Sequence, residues 1–206
     1  SVKMRVFLIF ITVLVILTLN SLWAVFNFNI LNNSIERILD SNYKSIVAAQ
    51  SMTTAVERQD SLQLSYIFTR DEKYIIDFMK NESQFYDFLK NAQDNITETG
   101  EREIVINLGD SYEEYIKSFY NFMKIEDIGE QRNFYFKEVF PKFEKIKNIS
   151  KKLLEINQDS MVAKRYEAGK IAEKATFFTI MVAAVTIFLG MLIITYLTPT
   201  FYLHFH

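Results

Sequence analysis

The sequence contains no cysteine, only two prolines and five glycines in 206 residues, and its charges nearly cancel at a formal net charge of −2. Without cysteine there is neither a disulfide framework nor a thiolate metal site. A chain so close to neutrality lacks the basic excess that a nucleic-acid surface requires, and no nucleic-acid partner is expected. Scarce glycine and proline leave little material for tight turns, which predicts long uninterrupted helices. Histidine is scarce too: His204 and His206 are the only two. A di-iron site inside a helical bundle needs Glu-x-x-His pairs, and none occurs. Phosphate-binding glycine loops, metalloprotease motifs and nucleophile elbows are also missing. The expectation is a non-enzymatic chain with no catalytic residues, no metal and no cofactor.

What the chain does have is hydrophobicity gathered at its two ends. Residues 6–27 and 175–197 carry no Asp, Glu, Lys or Arg. About 20 apolar residues suffice to cross a hydrocarbon core of roughly 30 Å, so both are predicted transmembrane helices. The first is too long for a signal-peptide core, and Asn20-Ser21-Leu22-Trp23 makes a poor cleavage site. Trp23 stands where an interfacial indole is expected. Lys3 and Arg5 precede the first span and place residues 1–5 in the cytoplasm, while Lys170 and Lys174 weigh the other way. Two spans then return residues 198–206 to the cytoplasm and leave residues 28–174 outside the cell membrane.

That middle region predicts four helices. The first runs from about Asn29 to Thr69, continuous with the first span, on a stripe of Leu31, Ile35, Ile38, Ala49, Met52 and Val56. Asp71 is a candidate N-cap for a second helix ending near Ile96, with Tyr74, Ile75, Phe78, Phe85, Phe88 and Leu89 inward. A third, from Glu101 to about Lys124, turns Ile104, Leu108, Tyr112, Tyr115, Phe119 and Met123 to the core. Asp127 to Gly129 form a turn. The fourth begins near Glu130 and runs into the second span, with Phe136, Val139, Phe143, Ile146, Ile149, Leu153 and Ile156 inward. Pro141 inside it predicts a kink or short break near Phe140.

The fold class expected is therefore all-α, an up-down-up-down four-helix bundle whose long first and fourth helices continue into the two transmembrane helices. Outward and inward helix lengths differ by only about four residues, or roughly 6 Å, as a bundle returning to its membrane needs. Near the membrane only the first and fourth helices remain, and two helices alone cannot bury Leu31, Ile35, Ile38, Leu153 and Ile156. A parallel homodimer would complete a four-helix stalk.

Several stretches carry a resemblance: ILDSNYKSIVAAQSM at 38–52 with ERQDS at 57–61, NITETGE at 95–101, YFKEVFPKF at 135–143 and EINQDSM at 155–161. Together they resemble the N-terminal sensor region of bacterial HAMP-containing histidine kinases with KinB-like sensor domains. The resemblance implies the receptor half of a two-component system, which passes an extracytoplasmic stimulus across the membrane by helix displacement. In that family a HAMP linker and a kinase core follow the second span. Pro199 stands where a HAMP helix commonly has its early proline, and residues 198–206 would be the start of a truncated linker. Two other functions fit the same architecture: the ligand-binding module of a methyl-accepting chemoreceptor, and a non-signalling accessory membrane protein. For the stimulus, a small molecule or a protein, the candidate site is a polar stripe of Gln50, Thr54, Glu57 and Ser61 on one helix face, with Arg58 and Asp60 beside it. Arg58 could pair with an anion through its planar fork. The same stripe also reads as a solvated face or a hydrogen-bonded dimer seam.

Overall fold

The computed structural model describes residues 2–37 and 42–202, and these are α-helical apart from π-helical geometry at Asn42 and over Tyr135–Val139 and short connections. The helices are α1 (Val2–Arg37), α2 (Tyr43–Thr69), α3 (Lys73–Gln93), α4 (Glu101–Met123), α5 (Ile128–Phe134) and α6 (Phe140–Tyr202). The chain divides into two compact units, one of Ser1–Glu36 with Lys164–His206, the other of Arg37–Ala163. Whether the first predicted helix is continuous from the apolar segment through Ile38 lies outside the described residues.

In the first unit, α1 packs against the C-terminal part of α6, and Trp23 meets Phe178 with ring centroids 5.3 Å apart. Half-buried positions recur at spacings of three, four or seven residues at Val13, Ile16, Asn20, Asn27 and Ser34 on α1, and of three or four at Ala175, Thr179, Val182, Thr186 and Gly190 on α6. Thr12, Thr18 and Ser21 donate their hydroxyls to carbonyls one turn back, at Leu8, Leu14 and Leu17, which satisfies these three donors within the helix. Leu14, Leu19, Leu22, Phe177, Ile187 and Phe188 stand exposed. Two helices of this chain are thus long and apolar enough to cross a membrane.

The second unit packs the reverse way, with its apolar side chains inside. Hydrogen bonds and ring contacts fix the helix directions. Ser45 meets Asn95 and Gln59 meets the Phe78 carbonyl, so α2 and α3 are antiparallel. Phe85 stacks on Tyr112 and Phe78 on Phe119, at 3.5 and 3.6 Å between centroids, which sets α4 antiparallel to α3. Asn157 meets Glu101 and Lys145 meets Glu114, which sets α6 antiparallel to α4. The core runs through Met52, Val56, Phe78, Phe85, Tyr112, Phe119, Ile146 and Leu153, every one with no exposed surface.

Two helix starts differ slightly from expectation: Glu72, not Asp71, directly precedes α3, and Ile128 and Gly129, expected in a turn, are the first residues of α5 behind the cap Asp127. Asp71 Oδ1 accepts from the Lys73 amide at 3.0 Å, and Asp127 Oδ1 from the Glu130 amide at 2.7 Å. Each satisfies an amide that the first helical turn leaves without a partner. Glycine supplies the left-handed backbone before α4, where Gly100 has φ 85°.

The disturbance expected at Pro141 takes a definite form. Tyr135–Val139 is a π-helical turn, with the Phe140 amide bonding back five residues to the Tyr135 carbonyl. A π turn inserts an extra residue and rotates the helix before it relative to the helix beyond it. Phe136, predicted inward, is consequently exposed, and Tyr135 takes the interior position with its ring fully covered. Ile35 also lies exposed rather than inward.

Candidate functional site

Helix α2 carries all six candidate residues, and its two flanks have different neighbours. Toward α3 lies an open groove of about 410 Å³, lined by Thr54, Glu57, Arg58 and Ser61 together with Leu62, Asp77 and Asn81. Toward α6 lies a second groove of about 710 Å³, lined on α2 by Ala49, Gln50, Thr53 and Thr54. The stripe is therefore shared between two grooves, with Thr54 at the ridge between them.

Asp60 belongs to neither. Its Oδ1 accepts the Tyr135 hydroxyl at 2.6 Å, joining α2 to the π turn. Burial pushes its carboxyl above the usual range; the Tyr135 hydrogen bond and Lys147 oppose that shift, and Glu144 and Glu57 add to it. Glu57 lies 3.3 Å from the Lys147 ammonium of α6, so this carboxylate leans over one groove while lining the other. Thr54 and Ser61 donate their hydroxyls to the Gln50 and Glu57 carbonyls of their own helix. Their oxygens can still accept.

The α2/α3 groove has one guanidinium, Arg58, against the carboxylates of Glu57 and Asp77. Its floor is Asn81, 8% exposed, whose Nδ2 donates to the Asp77 carbonyl while Oδ1 has no hydrogen-bond partner among the described residues. The arrangement can accept hydrogen bonds and hold a positive group more readily than a lone anion.

A polar centre that the helical stripes did not reveal lies at one end of the packed helices. Asn157 Nδ2 donates to Glu101 Oε1 at 2.9 Å and to the Leu153 carbonyl at 3.0 Å. Asn42 Nδ2 donates to Glu98 Oε1 at 2.8 Å and to Asn157 Oδ1 at 3.3 Å. Glu101 Oε2 accepts the amides of Thr97 and Glu98, at 2.7 and 3.0 Å. Asn42, Glu101 and Asn157 have no exposed surface. Three of the stretches behind the family resemblance, around 42, 95–101 and 157, thus meet in one hydrogen-bonded network. With its groups turned on each other, the network ties the α3–α4 connection to α2 and α6. Its signal in the sequence was the short polar motifs themselves.

Among the described residues no group of three or more His, Asp or Glu side chains is placed to hold a metal ion. No protein-family model, no curated protein and no solved structure matches this chain. What the site and fold establish is an all-α protein of several packed helices with two helices of membrane-spanning length and composition.

Proposed function

We propose that the chain is the sensor module of a membrane receptor: an extracytoplasmic up-down-up-down four-helix bundle held between two transmembrane helices, of the kind found in bacterial sensor histidine kinases. The observation that carries this reading is α6. One helix supplies Ile146 and Leu153 to the packed core and then the apolar stretch from Ala175 onward. A displacement of about 1–2 Å in such a helix is a recognised way of passing a signal. A stimulus drives it only by binding one helix arrangement better than the other. In this reading two copies stand parallel, and the α2 stripe of Gln50, Thr54, Glu57, Arg58, Asp60 and Ser61 faces the stimulus or the partner copy. The exported side is residues 28–174, and both ends of the chain are cytoplasmic.

The chain has no cysteine of its own, so single cysteines make clean reporters. The full chain carrying Glu103→Cys is exposed in intact cells to a maleimide that cannot cross membranes. Labelling before lysis supports an extracytoplasmic domain, and protection until lysis overturns it. A second variant, Ser34→Cys, is oxidised in membranes: covalent dimers support the parallel pair, and their absence there and at neighbouring α1 positions removes it. Fusion of residues 1–197 to a HAMP–kinase output separates the kinase reading from the chemoreceptor and accessory-protein alternatives.

A further inference from the structure

The groove between α2 and α6 has features that its counterpart on the other flank lacks. On α2 it is walled by small side chains, Ala49 and Thr53, which leave space where larger ones would close it. Its volume of about 710 Å³ lies within the roughly 300–1,000 Å³ usual for small-molecule sites. At its base Ser150 is 1% exposed, and its hydroxyl has no hydrogen-bond partner among the described residues. A buried hydroxyl left without a partner is unfavourable, and a bound acceptor would relieve that.

The charges over the groove come from both helices. Lys147 and Lys151, one turn apart on α6, line it together with Glu144, and the Glu57 carboxylate leans over it from α2. Lys147 is shared between Glu57 at 3.3 Å and Glu144 at 3.8 Å, and Lys151 lies 3.6 Å from Glu155. These are long, solvent-facing pairs, which contribute little and yield readily to a better acceptor. Leu154 and Ala49 add an apolar wall. By contrast, the α2/α3 groove sets two carboxylates against one guanidinium.

We propose that the α2/α6 groove binds a small organic carboxylate, its carboxylate held between Lys147 and Lys151 with the Ser150 hydroxyl donating to it, and its carbon body against Ala49 and Leu154. Such a ligand bridges α2 to α6. The site stands on the groove itself, whereas its regulatory meaning rests on the receptor reading.

The test uses the full chain in detergent micelles with L-malate, L-glutamate and butyrate as probes and sodium chloride as an ionic-strength control. The expected result is a saturable rise in Tm with at least one probe and none with the salt. Binding weakens about tenfold or more in Lys151→Gln and in Ser150→Ala, and is unchanged in Arg58→Gln. Ser150→Ala removes a hydroxyl without a partner and is expected to fold at least as well as the parent, so its lost binding is not lost structure. No saturable response to any of the three probes overturns the site, as does equal response in the Lys151 and Ser150 variants. Binding that leaves unchanged the cross-linking rate of a cysteine pair on α1 and the apolar part of α6 keeps the site and overturns the receptor reading.

Discussion

The packed helices are held differently in their middle and at the end near Asn42. The middle is aromatic: Phe78 on Phe119, Phe85 on Tyr112, with Tyr115 beside both and every ring covered. The end is polar: Asn42, Glu98, Glu101 and Asn157 bonded to one another. Aromatic burial is strong and tolerant of small shifts, because stacked and tilted rings gain over a broad range of offsets. A buried hydrogen-bond network is directional, and its members lose heavily when one is removed. The middle therefore supplies most of the stability, and the polar end fixes which helices meet and in what register.

The largest expected effect breaks the middle. Phe119→Ala removes the ring stacked on Phe78 and leaves a cavity, at a cost of about 3–5 kcal/mol. Phe136→Ala deletes an equal ring from the exposed side of the π turn and should cost under about 0.5 kcal/mol. Urea melts of the two variants read the contrast directly, and equal losses would remove the distinction between inner and outer rings.

The same core sets the alkaline limit. Burial holds the phenols of Tyr112, Tyr115 and Tyr135 well above their ordinary value. In the unfolded chain they ionise near pH 10. Above that pH the folded state binds more protons than the unfolded one, so stability falls as pH rises. Tyr115→Phe should flatten that fall at little cost near neutrality, since the Tyr115 hydroxyl has no hydrogen-bond partner among the described residues. Thermal melts between neutral and alkaline pH decide it, and an unchanged alkaline slope would count against a protected phenol.

At the polar end, Asn157→Leu keeps the branched shape but takes a donor from Glu101 and from the Leu153 carbonyl, for a loss of about 2 kcal/mol. A double-mutant cycle with Glu101→Gln isolates the coupling of the pair. Independent, additive losses would mean that the network is a set of separate contacts. Gly100→Ala is smaller, about 1 kcal/mol, because alanine at a left-handed φ is strained while its Cβ would meet only Ile156 Cδ1 at 3.9 Å.

How much of this fold was legible in the sequence depends on the information each signal requires. Two charge-free blocks and the order of the helices needed only length and period; Asp71 was found to within a residue of its helix start, whereas Asp127, expected in a turn, caps α5. The π turn was half legible. Pro141 announces a disturbance, but whether the chain kinks or widens depends on which ring fits the core, and Tyr135 won over Phe136. Gln59, Gln63 and Gln131 belong to none of the apolar stripes, yet all three are fully buried; no period distinguishes a glutamine that faces a tyrosine from one that faces water. The α2 stripe was legible as a polar face. That it would split between two grooves, with Asp60 turned to Tyr135, depended on neighbours on α3, the π turn and α6.

The smallest effect compares the two left-handed residues that flank helices at opposite ends. Gly100 meets that requirement with no side chain, whereas Arg70 meets it at φ 57° with a long one. Its guanidinium compensates in two ways: Nη2 donates to the Glu126 carbonyl at 3.4 Å, and the group lies 5.4 Å from the Tyr66 ring centroid. Asparagine tolerates the left-handed region better than arginine but makes neither contact. An exposed cation–π contact is worth about 0.5–1 kcal/mol, much the same as the strain relieved. Arg70→Asn should therefore leave stability within about 0.5 kcal/mol of the parent. A clear gain would mean that the Arg70 contacts add nothing at this end. A loss beyond 1 kcal/mol, on the order of a good net hydrogen bond, would mean that the link between the α2–α3 and α4–α5 connections is a second polar clasp, and the contrast between the two ends would narrow.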